Sequence, residues 1–250
     1  VRYLQIALKA ARLATEAHPR DPAAWQARIE LESECLSSST SAADNRTQQQ
    51  HQQLFVLVTQ ALRLVPAAEA EPLWAQGFNI AETLAAAGSR AQLAALQKQL
   101  VAAVTAAAVK GPSNGGLGAV AARCLEVVWG VLGAAAAHKL WQQLLLLPPA
   151  GGDMFRGMLR VEQLASGADR ASQQQQQQQL AADAVKRVRG VFEAWASAYG
   201  STDTALWVDW ALFEQQQGKA GAGKVYWRAV KALEDPEQFI AGYRQQIGAA

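Results

Sequence analysis

The sequence predicts an all-α protein, an α-solenoid of antiparallel helix pairs. Three observations carry that expectation. Half of the residues are hydrophobic, but alanine, leucine and valine dominate and β-branched runs are few, which favours helix almost throughout. Apolar residues recur at helical spacing in segment after segment, giving each helix one face to bury. Proline, glycine and aspartate punctuate these segments, with short turns between neighbours that bury their faces against each other.

Bulk properties narrow the function classes. A chain of 250 residues can bury a sizeable core as one or two domains. A formal net charge of +2 argues against a globally basic nucleic-acid binder. Cys35 and Cys124 lie far apart, so neither a disulfide framework nor a zinc site is expected, and a reducing compartment is. The most apolar run, residues 127–137 with a weak extension over 144–147, is too short for a membrane span. The chain opens Val-Arg-Tyr without a signal-peptide pattern. It is expected to be the soluble C-terminal part of a longer polypeptide.

Taken in order, residues 3–18 predict a helix with Leu4, Leu8, Ala11 and Ala14 on one side. His18-Pro19 closes it, and Asp21-Pro22 opens a second helix over about 22–35, carrying Trp25, Ile29 and Glu32. Residues 37–53 are polar and low in complexity, and are expected to be a solvated insertion. Helix resumes over 54–65, and Pro66 ends it. Pro72 opens a helix with Trp74, Phe78 and Glu82, Gly88 turns the chain, and residues 89–109 form a long alanine- and leucine-rich helix. The glycine-rich turn at 111–118 lacks the Lys-Ser/Thr that a phosphate-cradling loop requires. Residues 119–147 predict one long helix, or two joined near Gly130–Gly133, with Val128, Leu132, Leu140 and Leu144 as core. A helix over 153–164 carries Phe155 and Glu162. The glutamine tract at 172–179 is the second low-complexity insertion, although glutamine is a fair helix former and can extend the helix expected over 180–199.

The clearest unit comes last. Residues 205–214 place Leu206, Trp210 and Phe213 on one stripe, and residues 224–233 place Val225, Ala229 and Leu233 on another, with Tyr226 and Val230 beside it. Gly218 is placed for a positive-φ cap, the stretch Ser201-Thr202-Asp203 for the cap that starts the hairpin, and Asp235-Pro236 for the start of a final helix over about 236–246. Trp207 stands seven residues before Glu214, as Trp25 does before Glu32 and Phe155 before Glu162. Ala61-Leu62 with Val65 mirrors Ala229-Val230 with Leu233. Shared offsets of this kind are the mark of repetition, with about ten or eleven helices in all.

Trp207-x-x-Trp210-x-x-Phe213-Glu214, followed by Val225-Tyr226-x-Arg228-Ala229-Val230, resembles the half-a-TPR (HAT) repeat. Trp25 with Glu32 and Phe155 with Glu162 look like weaker copies. Residues 204–243 are also similar to the terminal segment of the U3 small nucleolar RNA-associated protein 6 family. That resemblance implies one HAT-repeat solenoid over residues 1–250, acting as a non-catalytic scaffold of the nucleolar small-subunit processome in pre-18S ribosomal RNA processing. It implies partners among other processome proteins, β-propeller subunits of the same subcomplex above all, with U3 RNA and pre-ribosomal RNA nearby. HAT scaffolds of pre-mRNA splicing or 3′-end cleavage are the alternative. An enzyme whose site lies with a partner or in a missing N-terminal part is the reading from another class.

The motif aromatics are expected in the core, Phe213 and Trp227 with them, and Glu214 is expected to be tied to the second helix of the hairpin or to the next repeat, with Arg228 the favoured partner. No catalytic constellation can be assembled from the sequence, and no cofactor, metal or small-molecule substrate is expected. His18, His51 and His138 lack ligand spacing, and Glu30, Glu32 and Glu34 form an acidic cluster that is expected to be solvated. Two basic groupings offer phosphate contacts as an alternative to a solvated face: Lys186, Arg187 and Arg189 on one helix, and Lys224, Arg228 and Lys231 at i, i+4 and i+7 on another.

Overall fold

Aspartate side chains start three of the helices at the expected places. Asp21 accepts from the Ala23 amide at 2.9 Å, Asp203 from Leu206 at 3.2 Å and Asp235 from Glu237 at 3.1 Å. Each satisfies an amide that the first turn of a helix leaves without a partner. A computed structural model describes residues 2–37, 44–110, 117–148, 150–168 and 174–248. Twelve α-helices and one short 3-10 turn, Ala67–Glu69, form among them, and no strand. The all-α expectation holds.

The chain divides into two compact units, Val1–Gly157 and Met158–Ala250. The first contains α1 (Arg2–Ala17), α2 (Pro22–Ser37), α3 (Asp44–Leu64), α4 (Glu71–Ala86), α5 (Ala91–Lys110), α6 (Leu117–Leu132), α7 (Ala134–Leu145) and the start of α8 (Gly152–Ala168). Within it α1 packs on α2, α3 on α2 and α4, α4 also on α5 and α6, and α6 on α7. Its core includes Trp25, Ile29, Val58, Ala61, Trp74 and Phe78. Burying an aliphatic or Phe side chain of this size contributes about 1.5–3 kcal/mol. The break between α6 and α7 falls at Gly133, whose φ of +85° suits glycine. Of the two readings for 119–147, two helices is therefore the one observed.

The second unit holds the rest of α8 with α9 (Gln174–Tyr199), α10 (Thr204–Gln217), α11 (Lys219–Ala232) and α12 (Pro236–Gly248). α10 packs closely on α11 across a one-residue break at Gly218, where φ is +142°, and it also packs on α9 and α12. The Gly218 amide bonds the Glu214 carbonyl at 2.9 Å and closes α10.

One low-complexity stretch differs from expectation. Residues 44–53 lie inside α3 and are not a loop. Glutamine is a good helix former and no proline or glycine interrupts the run after Asp44, so the helix continues through it. The glutamines from 174 onward extend α9 in the same way. Residues 38–43, residues 111–116 of the expected glycine-rich turn, and residues 169–173 lie outside the described residues.

Candidate functional site

The motif residues of the second unit converge on a groove of about 400 Å³ lined by Arg189, Glu193, Trp210, Glu214, Lys224 and Arg228, together with Gly221 and Val225. Stacked rings lie beneath it. Phe192 of α9 stacks on Trp210 at 5.6 Å, and Trp210 on Trp207 at 5.6 Å. Leu206, Trp207 and Trp210 are buried as expected, whereas Phe213 is half-buried and rests tilted against Phe192 at 5.7 Å.

Glu214 is 4% exposed. Arg189 of α9 grips it with two bonds of 2.7 Å, from Nε and Nη2, and Trp210 Nε1 donates to the same carboxylate at 3.4 Å. The Arg189 hydrogen bond holds the Glu214 carboxyl below its ordinary pKa, against the opposing effect of burial. Gly221 makes room for the arrangement: a Cβ there would run into Glu214 Oε2.

The expected Glu214–Arg228 bond is not formed. Arg228 of α11 instead pairs with Glu193 of α9, at 2.6 and 2.7 Å, while its guanidinium lies 5.1 Å over Trp210 and 5.7 Å over Trp207. Both partners of this second pair are half exposed. The helix that decides both pairings is α9, which supplies an arginine to one carboxylate and a carboxylate to the other arginine. Arg189 and Glu193 stand at i, i+4, so both emerge on one side of α9. That spacing is visible in the sequence, but it gives the shared face of α9 and not the residues that the face meets.

The basic grouping on α9 is correspondingly reduced as a phosphate surface. Arg189 is taken by Glu214, and Arg187 Nε bonds Glu162, which is 1% exposed, at 2.8 Å. Lys186 is exposed. On α11 the buried side is Ala222, Val225, Ala229 and Leu233. Tyr226 is half-buried, and Lys224 and Lys231 are exposed. Trp227 was expected beside the core but is 64% exposed. It falls on the side of the helix opposite the buried stripe.

The first unit repeats part of this chemistry. Trp25 Nε1 donates to the Pro19 carbonyl at 2.9 Å, and Trp207 Nε1 to the Gly200 carbonyl at 2.8 Å. Each buried tryptophan thus ties its helix to the turn before it. Glu32, seven residues on, accepts Arg12 Nε at 3.0 Å and Nη2 at 2.7 Å from the preceding helix, as Glu214 accepts Arg189. The Ala61, Leu62, Val65 triplet is buried, half-buried and buried, matching Ala229, Val230 and Leu233. Phe155 is buried and packs edge-on against Trp141 at 5.4 Å. Glu162 differs in taking its arginine from the following helix. Glu82 is bonded by Arg123 of α6 at 3.0 Å.

A second groove, of about 480 Å³, lies in the first unit against Glu30, Glu34, His51 and Gln76. Among the described residues no three His, Cys, Asp or Glu side chains gather as metal ligands, and no helix is long and apolar enough to cross a membrane. Cys124 is fully buried, which pushes its thiol pKa up to about 12 and suppresses thiolate chemistry. No protein-family model matches the chain, and no curated protein matches it.

Proposed function

We propose that this chain is a non-catalytic scaffold built from HAT-type helix pairs, working in the nucleolar small-subunit processome to support pre-18S ribosomal RNA processing. One observation carries the repeat reading. The Trp and Glu that the sequence places seven apart make the same two kinds of bond in both units: indole to turn carbonyl, and carboxylate to an arginine of the preceding helix. Side chains spent on joining successive helices are what a scaffold needs, because each helix pair is stable only against its neighbours. The step from repeat to processome rests on the resemblance of residues 204–243 to the terminal segment of the U3 small nucleolar RNA-associated protein 6 family. Protein partners, β-propeller subunits above all, supply most of the affinity, since a net charge of +2 gives little sequence-independent attraction to RNA.

Depleting the protein in its own cells and blotting ribosomal RNA tests this reading. Loss of 18S RNA with build-up of its uncleaved precursor is the expected result. Intact 18S production with retained introns or unprocessed messenger 3′ ends would move the scaffold to the alternative assemblies.

A further inference from the structure

The outer side of α11 combines an exposed ring with cations that the groove leaves without a partner. Lys224, Trp227, Arg228 and Lys231 fall within about 100° of one another around the helix. The helix carries Lys219, Lys224, Arg228 and Lys231 and no acidic residue. Arg228 is neutralised by Glu193, whereas Lys224 and Lys231 have no ion-pair partner among the described residues. The nearest acidic residues along the chain, Glu234 and Asp235, lie past the end of α11, and Asp235 is turned to cap α12.

Trp227 is held in place despite its exposure. Its ring meets Tyr226 edge-on at 5.8 Å, and Tyr226 is fixed in turn by Phe239 at 5.5 Å and Tyr243 at 5.6 Å. Phe239 is fully buried. The exposed indole is thus the outer end of an aromatic cluster rooted in the core, so ordering it on binding costs little.

We propose that this face binds a single-stranded nucleic acid, a base stacking on Trp227 while Lys224 and Lys231 contact phosphates on either side. Charge decides between this and a protein partner. A protein-binding anchor sits at the centre of an apolar, desolvated patch from which lysine is depleted. Trp227 instead has lysines within one turn in each direction, and over residues 221–232 the other exposed residues are Gly223, Arg228 and Ala232. Lys224 and Lys231 are about 10 Å apart along the axis, a span of one to two nucleotides, and an unpaired strand offers both an accessible base face and a phosphate at that interval. The inference stands apart from the assembly that holds the protein.

Fluorescence anisotropy with labelled 12-nucleotide RNA and DNA strands of one sequence, and with their duplex, tests it on the full chain at roughly 50 mM salt. Binding of either single strand in preference to the duplex is expected, and the RNA and DNA arms show whether the sugar matters. Trp227→Ala should weaken it about five- to a hundredfold and Trp227→Phe much less, as loss of a stacking ring requires. Lys224→Gln and Lys231→Gln should each lower the salt slope by about 0.7. Lys139→Gln, at an exposed lysine of α7, should leave the slope unchanged. Absence of binding, preference for the duplex, or Trp227→Ala equal to the unaltered protein overturns the proposal. Circular dichroism of each variant separates these outcomes from misfolding.

Discussion

Removing either partner of the Arg189–Glu214 pair should destabilise the second unit, and by unequal amounts. Glu214 is 4% exposed with Arg189 in place, and Arg189→Ala leaves its carboxylate with only the 3.4 Å bond from Trp210. Stranding a buried charge costs about 3–5 kcal/mol. Protonating the carboxyl instead costs about 3.7 kcal/mol at pH 7 for an ordinary glutamate, which sets a ceiling. A loss of about 3 kcal/mol is expected. Glu214→Gln strands Arg189, but that side chain is 49% exposed and water can solvate it. Its loss should be nearer 1.5–2 kcal/mol, the scale of charge-assisted hydrogen bonds. Urea unfolding followed by circular dichroism and tryptophan fluorescence measures both. A double-mutant cycle on Arg189 and Glu214 should show coupling above about 1.5 kcal/mol, while Glu214 and Arg228 should be additive within about 0.5 kcal/mol. Coupling of Glu193 with Arg228 should stay below about 1 kcal/mol, because both partners are half exposed. Additivity for Arg189 with Glu214, or stronger coupling for the exposed pair, would refute the reasoning.

Acid should weaken the same contact. The Glu214 pKa is depressed on folding, so its contribution is complete above the unfolded carboxyl value and is lost as pH falls through the lower folded value; Glu214→Gln should flatten the acid limb of a stability–pH curve. Gly221→Ala should cost about 1–2 kcal/mol net, since the new methyl meets a carboxylate already pinned by Arg189, which outweighs the helix-propensity gain. Gly223→Ala, with open space around it, should stabilise by up to about 1 kcal/mol, and paired urea melts read the contrast. Trp25→Phe and Trp207→Phe each remove one indole bond to a turn carbonyl, and each should lower stability by about 1–2 kcal/mol in the same melts.

Helix positions were legible because they depend on local signals. Asp21, Asp203, Asp235, Gly133 and Gly218 announce caps and breaks within a few residues of where they act. The glutamine-rich residues after Asp44 misled because composition speaks for solvation while propensity speaks for helix, and propensity prevailed. At the groove, Glu214 was legible as a bonded residue but its partner was not. Pairing was inferred across one turn, whereas Arg189 arrives from 25 residues upstream, a separation that sequence spacing does not constrain. Trp227 was misread because a tryptophan beside Tyr226 looks like core until the helix is wound, when Val225 and Ala229 fix the buried side and turn Trp227 outward.

The scaffold reading meets its most direct test in affinity purification of the tagged, full-length protein from its own cells under native conditions. U3 RNA and β-propeller processome proteins should co-purify with it in stoichiometric amount. Recovery of splicing or 3′-end cleavage factors without U3 RNA would contradict it.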